Sequence, residues 1–100
     1  MTRGTTPDII ATLSGVDFSE ITSLYVTIRQ GSVIVEKTMD DVILKSPDIH
    51  ITLSQKETLS FSANKEAQIQ IRGMLNGERA FATNIKKTTI KPILKEGVIE

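Results

Sequence analysis

One histidine, one aspartate pair and one run of lysines are the side chains here whose types and spacing could do chemistry. His50 stands between Ile49 and Ile51 in an alternating stretch. If the isoleucines face a core, His50 faces the other way. A catalytic base or a metal ligand needs partners within reach, and the neighbouring sequence supplies none; the reading is a solvated surface histidine. Asp40-Asp41 offers the oxygen donors that hard cations prefer. Two adjacent aspartates without a ligand series fall short of a calcium loop and read as turn residues. Lys86-Lys87, with Lys91 and Lys95 beyond, forms the basic cluster, a candidate contact for phosphate. No aromatic platform is interleaved with it, and lysines on an outer strand also discourage edge-to-edge pairing, which is the reading preferred here. Gly73 lies inside a strand-like stretch and marks a bulge or a close backbone approach. There is no phosphate-cradling glycine loop, no serine nucleophile elbow and no cysteine. The expectation is no catalytic residue, no cofactor and no metal: a protein that is not an enzyme.

Composition sets the outer limits. One hundred residues suit a single domain able to bury one sheet-on-sheet core. Without cysteine, disulfides and thiolate sites are excluded, which favours folding in the cytoplasm. Twelve basic and twelve acidic residues balance, so no overall field draws the chain to nucleic acid or to an anionic membrane. The opening Met1-Thr2-Arg3-Gly4-Thr5-Thr6-Pro7 lacks the apolar stretch of a signal peptide. No membrane contact is expected, and nucleic acid is not expected as a partner.

The elements that must position these residues are short segments alternating apolar and polar, as in Leu24-Tyr25-Val26-Thr27-Ile28-Arg29 and Ala67-Gln68-Ile69-Gln70-Ile71-Arg72. A period of two puts one set of side chains in a core and the other in water, the pattern of antiparallel sheet. Strands are predicted at 8–13, 23–30, 33–38, 42–45, 49–53, 66–75 and 78–91. Gln30-Gly31-Ser32 and Asn76-Gly77 supply hairpin turns, the second with the residues a type I′ turn demands. Ser54-Gln55-Lys56-Glu57 fits a capping box and predicts one helical turn over 55–59. Alternation falters near Thr83-Asn84-Ile85, which predicts a bulge or bend in the last strand.

About seven such strands with turns at short intervals predict an all-β, immunoglobulin-like β-sandwich of antiparallel strands with one short helical turn; a small barrel is the alternative. The expected inward side chains are Ile10, Leu24, Val26, Ile28, Val33, Val35, Leu44, Ile49, Ile51, Leu53, Leu59, Phe61, Ile69, Ile71 and Ala82, with Phe18 and Ile21 capping one end. The organisation expected is a flexible N-terminal arm (1–7), the sandwich (8–91) and a C-terminal tail (92–100).

Arg3-Gly4-Thr5-Thr6-Pro7 opening into a strand, Leu53-Ser54-Gln55-Lys56-Glu57-Thr58-Leu59 in the middle and Ile93-Leu94-Lys95-Glu96-Gly97-Val98-Ile99 at the end resemble, in the same order, a group of small proteins encoded in phages and prophages of Gram-positive bacteria. The resemblance implies an immunoglobulin-like module of tail or baseplate components, acting in virion assembly through contacts with other phage structural proteins or with copies of itself. It brings no catalytic motif to carry over. Such a protein would be cytoplasmic when synthesised and then part of the virion. The tail residues Ile93, Leu94, Val98 and Ile99 are the candidate interaction surface. Two further classes stay open: a stand-alone adaptor or carbohydrate-binding module, for which Tyr25 and Phe81 are the available aromatic contributors, and a phage-encoded regulator binding a host protein or, through Lys86 and Lys87, nucleic acid.

Overall fold

The computed structural model describes all residues from Met1 to Glu100. Eight strands run in chain order: β1 (Asp8–Thr12), β2 (Ile21–Gln30), β3 (Val33–Thr38), β4 (Ile43–Lys45), β5 (Asp48–Thr52), then one helical turn α1 (Gln55–Leu59), and β6 (Glu66–Leu75), β7 (Arg79–Ala82) and β8 (Lys86–Thr89). They form two antiparallel sheets packed face to face. One has three strands in the order β1-β5-β4; the other has five, in the order β3-β2-β6-β7, with β8 also paired to β6. In the lettering of the immunoglobulin sandwich these orders read B-E-D and C′-C-F-G, and α1 bridges E to F.

Local chemistry explains the elements. Ser54 Oγ accepts the Glu57 N–H at 3.1 Å while Glu57 accepts the Ser54 N–H at 2.8 Å, the two halves of the capping box that starts α1. Asn76 and Gly77 take φ of 53° and 70°, so β6 and β7 close on the tight turn read from the sequence. The last strand is interrupted where alternation falters. Ala82 pairs with Arg72 and Lys86 with Ile69, four positions on one strand (82 to 86) against three on the other (72 to 69). The extra residue is a bulge. Thr83 patches it: its N–H donates to the Ile71 carbonyl at 2.9 Å, its hydroxyl accepts the Ile71 N–H at 3.0 Å, and its carbonyl accepts from the Gln70 amide at 3.0 Å.

The core between the sheets contains Leu24, Val26, Ile28, Val35, Ile49, Ile51, Leu53, Phe61, Ala67, Ile71 and Ile90, all buried. A second irregularity at the start of β2, between Ile21 and Ser23, lets Ile21 and Leu24 both face inward although three positions apart.

Three expected core positions differ. Ile10 is 56% exposed; Ile9 and Ala11 face inward instead, because β1 pairs Ile9 with Ile51 and Ala11 with Ile49, and directly opposite residues share a face. Ala82 lies on the outer face opposite Arg72, whereas Phe81, opposite Gly73, turns inward. In α1 the fully buried residue is Thr58, and Leu59 is half-buried. The helix axis, not the strand phase, decides which of the two adjacent residues points down.

Candidate interaction site

His50 sits on the outer face of the central strand of the three-stranded sheet, between Ile10 and Ile43. Its Nδ1 lies 3.8 Å from Asp8 Oδ2, too far for a hydrogen bond. Asp41 accepts from the Thr38 N–H and hydroxyl at 2.9 and 3.0 Å, and these bonds hold its carboxyl below the usual carboxylate range. The Asp40-Asp41 pair therefore closes a 3₁₀ turn (Met39–Asp41). The two lysines at the start of β8 separate: Lys86 is paired with Ile69, an inward position, and Lys87 with Gln68 on the outer face. A period of two splits the basic cluster between two faces.

Gly73 is a close approach. A Cβ at this position would lie 2.6 Å from the Phe81 ring and 2.9 Å from the Ser23 carbonyl, so Phe81 lies over β6 only because Gly73 has no side chain. This also separates the two aromatic residues considered together as a ligand platform. Tyr25 is on the outer face, beside a depression of about 270 Å³ lined by Ser23, Thr27, Glu36, Arg72 and Met74; Phe81 packs against the core.

The two ends of the chain meet at α1. Met1 O accepts the Lys91 N–H at 2.7 Å and the Arg3 N–H donates to Lys91 O at 3.1 Å, so residues 1–3 run beside the end of β8. Arg3 then closes the corner: Nε donates to Phe61 O at 2.7 Å, Nη2 to Leu59 O at 3.1 Å, and Nη1 to both oxygens of Glu96 at 2.9 and 3.1 Å. Carbonyls left over at the end of the helical turn are thereby satisfied. The expectation for residues 1–7 concerned motion; what the structure adds is this set of bonds. Two polar side chains not anticipated from sequence complete the corner. Gln30, 9% exposed, donates to the Ser62 and Lys65 carbonyls and accepts the Ser62 N–H at 2.6 Å, fastening the loop after α1 to the end of β2. Thr58 donates to Thr5 O at 2.9 Å. A polar residue ending an otherwise alternating strand, as Gln30 does, was the only sequence signal available.

Glu57 belongs to the same corner. Burial pushes its carboxyl up, but the Lys37 ammonium at 2.8 Å and the Ser54 N–H outweigh it, and the net direction is down.

Of the four tail residues, Ile93 is half-buried, with Cδ1 2.9 Å from where a Gly4 Cβ would stand. Leu94, Val98 and Ile99 are exposed. Ile99 is fastened through its backbone: its N–H donates to Gln55 Oε1 at 2.8 Å and its carbonyl accepts from Gln55 Nε2 at 3.1 Å. One side-chain amide thus stands in for a neighbouring strand.

The other concentration of apolar surface is on the side of the sandwich away from β3 and β4. β1 ends its sheet. The Pro7 carbonyl bonds Leu53 and the Leu13 N–H bonds Pro47, so the odd residues of β1 point their backbone at β5. Asp8, Ile10 and Thr12 point theirs outward to an edge that no strand covers. Between this edge and the β7–β8 bulge opens a groove of about 520 Å³ whose lining includes Ile9, Ala11, Leu13, Ile69, Ile71 and Lys86.

Comparison of the chain with protein-family models, with curated proteins and with solved structures returns no match.

Proposed function

We infer that the protein is a non-enzymatic assembly module acting through protein–protein contacts, and that it serves as a tail- or baseplate-associated structural component of a phage or prophage. The observation that carries the first part is the pairing of an uncovered strand edge at β1 with an apolar tail exposing Leu94, Val98 and Ile99. Uncovered edges and extended segments are the means by which β-modules add to one another. The virion part rests on the sequence resemblance of residues 3–7, 53–59 and 93–99. Mass spectrometry of particles released after prophage induction tests it. Stoichiometric presence with the tail proteins is the expected result; expression in the cell with absence from particles overturns it.

A second reading draws on the depression beside Tyr25, where Arg72 and Glu36 bring charge of both signs next to an aromatic ring. In that reading the outer face of the five-stranded sheet is an adaptor surface for a polar ligand such as a glycan. Tyr25→Ala would abolish binding on a glycan array and leave the oligomeric state unchanged.

A further inference from the structure

The side of the sandwich at β1 has the features of a strand acceptor. The N–H and C=O groups of Asp8, Ile10 and Thr12 line it with no strand opposite, and unpaired edge groups template the addition of a further strand. The immunoglobulin order places another strand at this position, beside the one that β1 represents. Here residues 1–3 instead bond to the end of β8, so no part of residues 1–100 covers the edge. Behind it, the groove floor is apolar, formed by Ile9, Ala11, Leu13, Ile69 and Ile71, with Lys86 as its cation. Lys86 forms no ion pair in the structure. Ile10, on the groove's rim, is 56% exposed.

Resting on the reading of the chain as an assembly module, we propose that this groove receives the segment 94–99 of a second copy as an added strand. In an extended chain alternate side chains share a face, which puts Leu94, Glu96 and Val98 on one side: an acid between two branched apolar groups. The groove offers the complement, Lys86 at the edge of an apolar floor. Glu96 exchanges its present partner Arg3 for Lys86, and the Ile99 backbone exchanges the Gln55 amide for a strand edge. Leu94 and Val98, which are 105% and 59% exposed, then gain cover along with the groove, and Ile99 faces the other way. Groove and tail are different surfaces of one chain, so the contact is heterologous. Association runs head to tail, into a ring or a filament, and does not stop at a symmetric dimer.

The absence of cysteine makes the test clean. Ala11→Cys and Val98→Cys chains, mixed and oxidised, should form a disulfide-linked dimer, because Ala11 lines the groove and Val98 of the added strand faces it. Ala11→Cys mixed with Ser32→Cys, a hairpin-tip control, should not. Sedimentation of the unsubstituted chain should show oligomers that grow with concentration, and ending the chain at Lys91 should leave a folded monomer. Lys86→Glu should weaken association about tenfold, and its circular dichroism would verify that the fold is kept. A chain monomeric at all concentrations, oligomers that persist after truncation, or links to the control position as frequent as to Val98 would each overturn the proposal. Presence in particles together with any of these results leaves the assembly reading standing and removes only the self-addition.

Discussion

The corner around α1 and the open side beneath β1 are built from the same kinds of residue to opposite ends. At the corner side chains meet backbone groups near the chain's turns: Arg3 takes Leu59 and Phe61, Gln30 takes Ser62 and Lys65, Thr58 takes Thr5. On the open side a strand edge faces outward with nothing across it and an apolar groove behind it. A buried polar group left without a partner costs more than a hydrogen bond contributes, so the corner is finished within the chain. An edge in water carries no such penalty because solvent satisfies it. Stability therefore resides at the corner, and the capacity to add something resides at the edge.

The sharpest way to break this division is Ile71→Asp. Ile71 is 3% exposed and lies under both regions, as core and as groove floor. A carboxylate there is taken out of water into an apolar core, and the expected result is loss of the cooperative thermal transition; an unchanged melting profile would remove β6 from the core. Gln30→Ala attacks only the corner. It leaves the Ser62 N–H and carbonyl without the Gln30 amide, while the Lys65 carbonyl keeps the Ile90 N–H, and should cost about 1–3 kcal/mol, read as a lower urea midpoint with an unchanged slope, while the oligomeric state is retained.

The corner also has a pH signature. Glu57 in the folded chain titrates below the ordinary glutamate value. Its contribution is therefore complete above the unfolded-state pKa, about 4.3, and is lost as pH falls through the lower folded value. Glu57→Gln keeps a side chain able to complete the capping box but removes the charge facing Lys37, and should lower the melting temperature at pH 7 by the equivalent of about 1 kcal/mol or less. The gap between variant and parent should close as pH is taken from 5 to below the folded value. A gap independent of pH would show that the Lys37 contact and the cap contribute nothing through charge. The smallest effect is on the open side. Ile10→Ser removes an exposed rim residue and should change stability by no more than about 0.5 kcal/mol while weakening self-association in sedimentation. If it destabilises as Gln30→Ala does, the two regions are not separable.

Much of the fold was legible because it is written locally. Val33–Thr38, Gln55–Leu59 and Glu66–Leu75 begin and end where alternation, the capping box and Asn76-Gly77 place them, since each signal acts over a few residues. The interruption between β7 and β8 was legible for the same reason. Phase was not always so. Ile9-Ile10 offers two apolar neighbours, and period-two reasoning cannot choose between them; Ala80-Phe81-Ala82 presents the same ambiguity, with Gly73 as the deciding partner. Of the tail, the sequence singled out Ile93, Leu94, Val98 and Ile99 as one group, and the structure divides it, Ile93 against Gly4 and the others exposed. The open edge of β1 carried no sequence signal, because an edge strand reads like any other until its neighbours are known.

By itself, then, the sequence determined where the strands lie to within one or two residues, apart from the last, which it marked for a break and which the structure divides into β7 and β8, together with the hairpin turns and the helical stop before β6, all consequences of backbone preferences and alternation within one segment. Tertiary structure alone decided which face of β1 is buried, that Gln30 and Arg3 close the corner, and that β1 has an uncovered side. Each of these depends on contacts that join positions far apart in the chain.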